Sequence, residues 1–212
     1  MEKTITIVAF GDSITLESRQ SEDKRWVRLT ESKLNGIYPN KVFRILNSGV
    51  GGNTSREGLA RIEQDVLSHK PDYVLVEFGG NDPTPDIERY VPFEEYESNL
   101  DCMWKKIVNE AKAQMLLLTF PPVINEWHAY SKHQFYDKWG GFENCVEQYR
   151  QITMNFAMKH AIVLIDINKA LRKKIMHNSA SRYILPDGVH LTDNGNSVVA
   201  ETVFYSLQDI FR

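Results

Sequence analysis

Short apolar runs alternate with longer amphipathic segments along the chain. Five runs rich in β-branched, aromatic or other apolar residues predict strands over 4–8, 42–47, 73–78, 114–120 and 162–166. Apolar residues at helical spacing predict helices over about 26–36, 59–67, 93–113, 142–160 and 193–210, with a short helix after 166. The Asn35-Gly36 pair is a turn signal, and it is expected to end the first of these helices.

This strand–helix alternation indicates an α/β fold. A strand repeatedly followed by a helix favours a parallel sheet with helices on both faces, and near-continuous apolar strands fit a sheet that is buried on both sides. Right-handed crossovers then predict a three-layer α/β/α sandwich, with a five-stranded sheet of flavodoxin-like order 2-1-3-4-5. The length of 212 residues favours a single domain over 1–212.

One connection is out of pattern. Residues 121–141 are longer than an ordinary strand-to-helix loop and rich in aromatic residues. One interpretation is a packed surface loop; the other is a lid or pocket wall, in which Trp127, His128 and Tyr130 contact a substrate.

Composition and charge narrow the function classes. The net charge is −3 and no basic stripe is visible, which argues against nucleic-acid binding. Two cysteines in a chain of this length do not indicate a disulfide scaffold. The N-terminal apolar run is short and ends in Gly-Asp-Ser, unlike a signal peptide, and no run is long enough for stable membrane insertion. A cytoplasmic protein is expected.

Polar or glycine-rich turns follow the first three predicted strands. Ser13 comes after the first strand, Gly52 lies in the turn after the second, and Asn81 follows the third. A fourth polar turn, Asp187 to His190, precedes the last helix. Each has a structural explanation alone, since Ser13 and Asn81 are good helix caps and Asp187 suits a turn. Together they fall at the edge of the sheet where α/β proteins bind ligands.

These residue types match nucleophilic catalysis. A serine hydroxyl becomes a nucleophile when a neighbouring base takes its proton, and His190 is a candidate base that Asp187 can orient. The backbone N–H groups of Ser13 and Gly52 and the Asn81 amide are candidate donors for an oxyanion.

The four turns together resemble the motifs of the SGNH, or GDSL-type, hydrolases. They occur in that family's order, as Gly11-Asp12-Ser13, the turn containing Gly52, Gly79-Gly80-Asn81-Asp82 and Asp187-Gly188-Val189-His190. The resemblance implies a serine hydrolase acting on carboxylic esters or thioesters without metal or organic cofactor. It implies Ser13 as nucleophile, Asp187 and His190 as its partners, and Ser13, Gly52 and Asn81 as oxyanion donors.

The stretches 52–61 and 74–77 look most like the thioesterase/lysophospholipase branch of that family. The chain departs from this branch at Pro83-Thr84-Pro85, where the resemblance implies a glycine-containing flexible loop. It also departs from it in the length of 121–141. The substrate therefore does not follow from the resemblance. Small or short-to-medium acyl esters and lysophospholipid-like molecules are the expected class.

Three alternatives stay open. A sugar O-acetylesterase of the same superfamily is one, and a non-catalytic carbohydrate- or acyl-binding module is another. A metal-dependent phosphoesterase is the third, with Asp12, Asn81, Asp82 and His190 as ligands. The oligomeric state is also open, with a homo-oligomer among the options.

Overall fold

The strands form one parallel sheet. The computed structural model describes residues 3–212, and its strands are β1 (Lys3–Gly11), β2 (Lys41–Gly49), β3 (Tyr73–Glu77), β4 (Gln114–Leu118) and β5 (Val163–Ile165). They lie in the order β2-β1-β3-β4-β5, and each neighbouring pair is parallel. This confirms the predicted topology and puts the carboxyl ends of the strands at one edge.

The helices cover the two faces of this sheet. They are α1 (Ser13–Leu16), α2 (Trp26–Ile37), α3 (Ser55–Asp65), α4 (Phe93–Asn109), α5 (Phe142–Lys159), α6 (Ile167–Met176) and α7 (Asp193–Phe211). α7 packs against α2 and α6, whereas α4 packs against α3 and α5. The result is the expected three-layer α/β/α sandwich.

β1 is an interior strand of the sheet and lies deep in the core. Ile7, Val8, Ala9 and Phe10 of β1 are completely buried, so side chains on both faces of the strand are covered by helices. Burial on both faces explains why the strands read as continuous apolar runs rather than as a simple alternation.

Several element boundaries differ from the predicted ones. α2 ends at Ile37, next to the Asn35-Gly36 pair as predicted, and the Asn35 side chain bonds both the N–H and the C=O of Phe43 at 2.9 Å. α3 ends at Asp65, before Val66 and Leu67. α4 ends at Asn109 rather than near residue 113, and Lys112 has a positive φ of 56° that no α-helix accommodates.

The connection over 121–141 is packed against the body of the molecule. It contains a 3₁₀ helix, Gln134–Trp139, whose buried Tyr136 donates its hydroxyl to Pro83 O at 2.6 Å. Ile124 N donates to Gly188 O at 2.8 Å, which ties the connection to the turn before α7. The segment is thus an ordered wall beside the carboxyl edge of the sheet.

Candidate active site

Ser13 lies where β1 turns into α1. The Asp12 carboxylate caps this helix by accepting from Ile14 N at 2.9 Å, so the cap is Asp12 and the Ser13 hydroxyl is left for other contacts. Gly11 is required sterically, since a Cβ there would lie 2.3 Å from Thr15 Oγ1 and 2.5 Å from Glu77 O. The sharp turn projects Ser13 into a cavity at the sheet edge.

Three side chains form a hydrogen-bonded series across this cavity. His190 Nε2 lies 3.0 Å from Ser13 Oγ, and His190 Nδ1 lies 2.9 Å from Asp187 Oδ2. Asp187 Oδ1 accepts from the backbone N–H groups of Val189 and His190, each at 3.0 Å, which holds the carboxylate in place. The structure therefore brings the three predicted residues together with the spacing of a nucleophile, a base and the group that orients the base.

Glycine is needed between the acid and the base of this series. Gly188 has a φ of +80°, and a Cβ there would lie 2.7 Å from Ile124 O. The Asp187–His190 turn and the 121–141 connection can approach each other this closely only because residue 188 has no side chain.

Burial, hydrogen bonds and neighbouring charges favour a neutral His190 and an ionised Asp187. Burial lowers the pKa of His190 below its ordinary value; the Asp187 charge opposes this effect and the Arg19 charge adds to it. Burial alone would raise the pKa of Asp187, but the N–H groups of His190 and Val189 and the interaction with His190 lower it overall. At neutral pH, His190 can therefore accept a proton from Ser13.

Two further predicted residues, Gly52 and Asn81, line the same cavity. Gly52 has a φ of +77°, and among the described residues no atom lies within 4 Å of the place where its Cβ would be, so a substrate can approach its backbone. The Gly52 carbonyl accepts from Arg89 Nη2 at 2.6 Å, which anchors the peptide between Gly52 and Asn53. Asn81 Nδ2 donates to Asp12 Oδ2 at 2.8 Å and to Asn53 O at 3.2 Å.

The cavity has a volume of about 310 Å³ and aromatic walls. Phe120 packs on Gly80, where a Cβ would lie only 2.0 Å from the Phe120 ring. The Phe142 ring stacks on His128 with 4.3 Å between ring centroids. Burial lowers the pKa of His128, whose Nδ1 accepts from Tyr130 N at 3.1 Å.

The three aromatic residues that were predicted to contact a substrate lie in two different places in the structure. His128 and Tyr130 line the cavity with Ser13. Trp127 is not among the residues that line it: it lies in a separate depression with Leu185 and Pro186, and its Cβ is 3.2 Å from where a Cβ on Gly188 would be. Successive loop residues point in different directions, and the sequence alone does not reveal which of them face inward.

Arg61 is a site residue that the sequence analysis did not single out. Its guanidinium donates to Gly11 O, Ser48 O, Asn53 Oδ1 and the Asp65 carboxylate at 2.8 to 2.9 Å. It thereby joins the ends of β1 and β2 to the turn containing Gly52. In the sequence, Arg61 could have been noticed because it lies one helical turn after Gly58, on the same face of the predicted helix.

The carboxylates that were considered as metal ligands receive protein donors. Asp82 accepts from the N–H groups of Ser55 and Gly79 at 3.0 and 3.2 Å, and Asp12 accepts from Ile14 and Asn81. Over residues 3–212, no three His, Cys, Asp or Glu side chains are grouped so as to hold a metal ion. Within the same range, no helix has the length and apolar character needed to cross a bilayer.

Comparison with known families gives one match over most of the chain. The sequence model of the GDSL-like Lipase/Acylhydrolase family matches residues 9–198. This range includes Ser13, Gly52, Asn81, Asp187 and His190.

Individual relatives support the same grouping. The chain is 26% identical to the acetylxylan esterase of Geobacillus stearothermophilus over 92% of this chain and 90% of that protein. It is 38% identical to thioesterase 1/protease 1/lysophospholipase L1 of Escherichia coli (strain K12), but only over 36% of this chain and 35% of that one. The crystal structure of a lipase/acylhydrolase from Enterococcus faecalis superposes with a TM-score of 0.79 at 22% identity, covering 97% of this chain and 96% of the other.

Proposed function

The chain belongs to the GDSL-like lipase/acylhydrolase family of ester hydrolases, and we propose that it cleaves small acyl esters through an acyl-enzyme on Ser13. The observation that carries this proposal is the unbroken series from Ser13 Oγ through His190 to Asp187, with contacts of 3.0 and 2.9 Å. A binding module has no need for a hydroxyl, a neutral imidazole and an ionised carboxylate in this order.

The proposed reaction has two steps, formation of the acyl-enzyme and its hydrolysis, and both use the same three side chains. Ser13 Oγ attacks the ester carbonyl carbon while His190 Nε2 accepts its proton, and the charge that develops on the carbonyl oxygen is stabilised by the N–H groups of Ser13, Gly52 and Asn81. His190 then donates the proton to the leaving alcohol or thiol. Water then attacks the acyl carbon while His190 Nε2 accepts its proton, and His190 returns that proton to Ser13 Oγ as the acyl–oxygen bond breaks and the acid is released.

The residues that form the walls of the cavity favour a substrate with a small acyl group. Phe120 is buried against Gly80, next to the proposed oxyanion donor Asn81. Tyr136 holds Pro83 by a 2.6 Å bond, and Tyr149 holds Val91 by another of 2.6 Å, so the loop after Asn81 is fixed at both ends. A long acyl chain would require this loop or Phe120 to move.

A sugar O-acetylesterase is the second candidate. The cavity combines aromatic rings, among them the His128–Phe142 stack, with the polar side chains of Arg19, Thr84 and Arg89. Such a mixture of stacking surfaces and hydrogen-bond donors suits a hydroxyl-rich leaving group better than a lipid. The relative that aligns over 92% of this chain is named an acetylxylan esterase, which supports this candidate.

The acid side of the pH–rate profile is expected to report His190. Below its pKa the imidazole is protonated and cannot accept the Ser13 proton, so kcat/KM for a short activated ester should rise with pH through a midpoint below 6.5, the ordinary histidine value. Arg19→Gln should move this midpoint to higher pH, because the Arg19 charge helps to lower the pKa of His190. A wild-type midpoint above 6.5, or one unmoved in Arg19→Gln, would contradict this electrostatic account.

The Phe120→Ala variant is expected to accept longer acyl chains. Removing the ring opens space beside Gly80, so the optimum of kcat/KM among p-nitrophenyl esters from acetate to octanoate should shift to longer acids. The substitution costs about 3–5 kcal/mol of stability in a packed core, so Phe120→Leu provides a milder test. Trp127→Ala is the control, since Trp127 lies outside the cavity and its loss should leave the profile unaltered. An unchanged profile in both Phe120 variants would remove Phe120 from the acyl pocket.

The remaining expectations stay predictions. These are the cytoplasmic location, the oligomeric state, the single domain over 1–212 and the absence of a cofactor.

Hydrolysis that survives chelation would support the serine mechanism over the metal-dependent alternative, whereas loss of hydrolysis on chelation would favour a metal-dependent phosphoesterase.

A further inference from the structure

Glu77 is a buried carboxyl group directly beneath the nucleophile. It is the last residue of β3, and the register of the sheet places it opposite Gly11 of β1. Only 1% of Glu77 is exposed, and its Oε2 lies 2.9 Å from where a Cβ on Gly11 would be. The Glu77 carboxyl thus sits under the turn that presents Ser13.

The partners of Glu77 leave one of its oxygens unexplained. Thr15 Oγ1 donates to Glu77 Oε2 at 3.1 Å, and the buried Asp12 and Glu77 carboxyl groups interact closely enough for Asp12 to raise the pKa of Glu77. Glu77 Oε1 is buried and receives no donor from the described part of the chain. Two carboxyl groups can form a hydrogen bond only if one of them holds a proton. A proton on Glu77 Oε1 would make this oxygen a hydrogen-bond donor.

The surrounding charges favour keeping that proton. Arg61 of α3 donates to Gly11 O at 2.8 Å but makes no ion pair with either carboxyl, and among residues 3–212 no cation pairs with Asp12 or Glu77. Two further titratable groups lie close in the chain fold: the buried Asp82 accepts from Gly79 N at 3.2 Å, and Tyr96 of α4 donates its hydroxyl to Phe78 O, next to Glu77, at 3.1 Å. Two adjacent buried carboxyls without a cation cannot both be ionised at moderate cost.

The proton belongs on Glu77 rather than on Asp12. Burial, followed by the Asp12 charge, raises the pKa of Glu77 well above its ordinary value. Burial also raises the pKa of Asp12, and the N–H of Ile14 opposes that rise. Asp12 accepts from two N–H donors, Ile14 N at 2.9 Å and Asn81 Nδ2 at 2.8 Å, whereas Glu77 Oε1 has no donor in the described part of the chain, so we assign the negative charge to Asp12.

The charge on Asp12 determines how Asn81 is oriented. A carboxylate accepts only, so it selects the amide nitrogen of Asn81, which donates to Asp12 Oδ2 at 2.8 Å. The second N–H of that nitrogen makes the longer 3.2 Å bond to Asn53 O. This second N–H is the one that can be shared with an oxygen in the cavity, because the Asp12 bond is shorter and charge-assisted.

We propose that Glu77, in its protonated form, is a positioning residue for the oxyanion hole, acting through Asp12 on the Asn81 amide. This inference rests on the proposed ester hydrolysis at Ser13. Loss of the proton places a second negative charge beside the position where the oxyanion develops, which disfavours the transition state. The turnover number therefore falls on the alkaline side as Glu77 ionises, independently of the acid limb that His190 sets.

The kinetic test compares Glu77→Gln with Glu77→Met. An introduced amide can donate to Asp12 and accept from Thr15 but cannot ionise, so Glu77→Gln should keep kcat within about threefold of wild type at neutral pH. Its alkaline decline, followed from about pH 6 to about pH 10, should disappear. Glu77→Met keeps the length but has no donor, and kcat should fall roughly tenfold with KM unchanged. A purely structural role would change thermal stability in both variants and leave the same alkaline limb in Glu77→Gln.

An infrared measurement tests the proton without using activity. The difference spectrum between wild type and Glu77→Gln at neutral pH should contain the carbonyl stretch of a buried, protonated carboxylic acid. Finding only carboxylate bands in that difference would overturn the proposal. Thermal unfolding supplies a second readout: because the pKa of Glu77 is raised on folding, wild type should lose stability relative to Glu77→Gln as pH rises above 4.5, its ordinary value.

These measurements separate the two proposals. If wild type does not hydrolyse esters, or Ser13→Ala hydrolyses them equally well, the proposed function fails while the infrared result still decides the state of Glu77. If wild type is a Ser13-dependent esterase but Glu77→Gln retains the alkaline decline, only the positioning role of Glu77 is overturned.

Discussion

Replacing His190 with alanine is expected to lower kcat by about 10⁴- to 10⁶-fold with little change in KM. Without the imidazole, 3.0 Å from Ser13 Oγ, no other side chain of residues 3–212 is hydrogen-bonded to the serine hydroxyl to take its proton. The measurement is steady-state hydrolysis of a short p-nitrophenyl ester, together with thermal unfolding. Stability should change little, because the backbone bonds from Val189 and His190 to Asp187 persist and keep the turn folded.

The control for this variant is His69→Ala. His69 is an exposed histidine on the turn before β3 and should leave turnover unchanged. Near wild-type kcat in a folded His190→Ala protein would remove His190 from the role of base. The cavity would then be better explained as a binding site.

Asn81→Ala has the second-largest expected effect, a loss of roughly 10²- to 10³-fold in kcat. The amide is proposed to donate to the oxyanion, whose charge develops only in the transition state. The loss should therefore appear equally in kcat and kcat/KM while KM stays near its wild-type value. The substitution also removes the bonds to Asp12 and Asn53, so the unfolding midpoint has to be measured beside the kinetics.

Asn35→Ala is a matched control for losing an amide. Asn35 makes two 2.9 Å bonds to the backbone of Phe43, away from the cavity, so its removal should lower stability without affecting kcat. An Asn81→Ala variant with raised KM and normal kcat would instead assign Asn81 to ground-state binding.

Local patterns in the sequence were sufficient for the sheet order and for the residues that meet at its edge. The strand pattern follows from side-chain chemistry that each segment carries itself, and parallel topology then brings every turn after a strand to the same edge. This is why Ser13, Gly52 and Asn81 could be expected near one another before any distance was known.

Features that depend on contacts between distant segments were not predictable. The role of Glu77 requires the register that pairs it with Gly11, although a charged residue at the end of an apolar strand was a visible signal. The position of Trp127 depends on how the 121–141 connection folds over Gly188, and Phe120 rather than Trp127 forms the wall beside Gly80.

The most direct test of the central claim is the intact mass of the protein after treatment with a fluorophosphonate, which reacts with activated serines. We predict one adduct on wild type, none on Ser13→Ala, and a greatly slowed reaction on His190→Ala. No adduct on well-folded wild type, or an adduct that persists in Ser13→Ala, would contradict the proposal that Ser13 is an activated nucleophile.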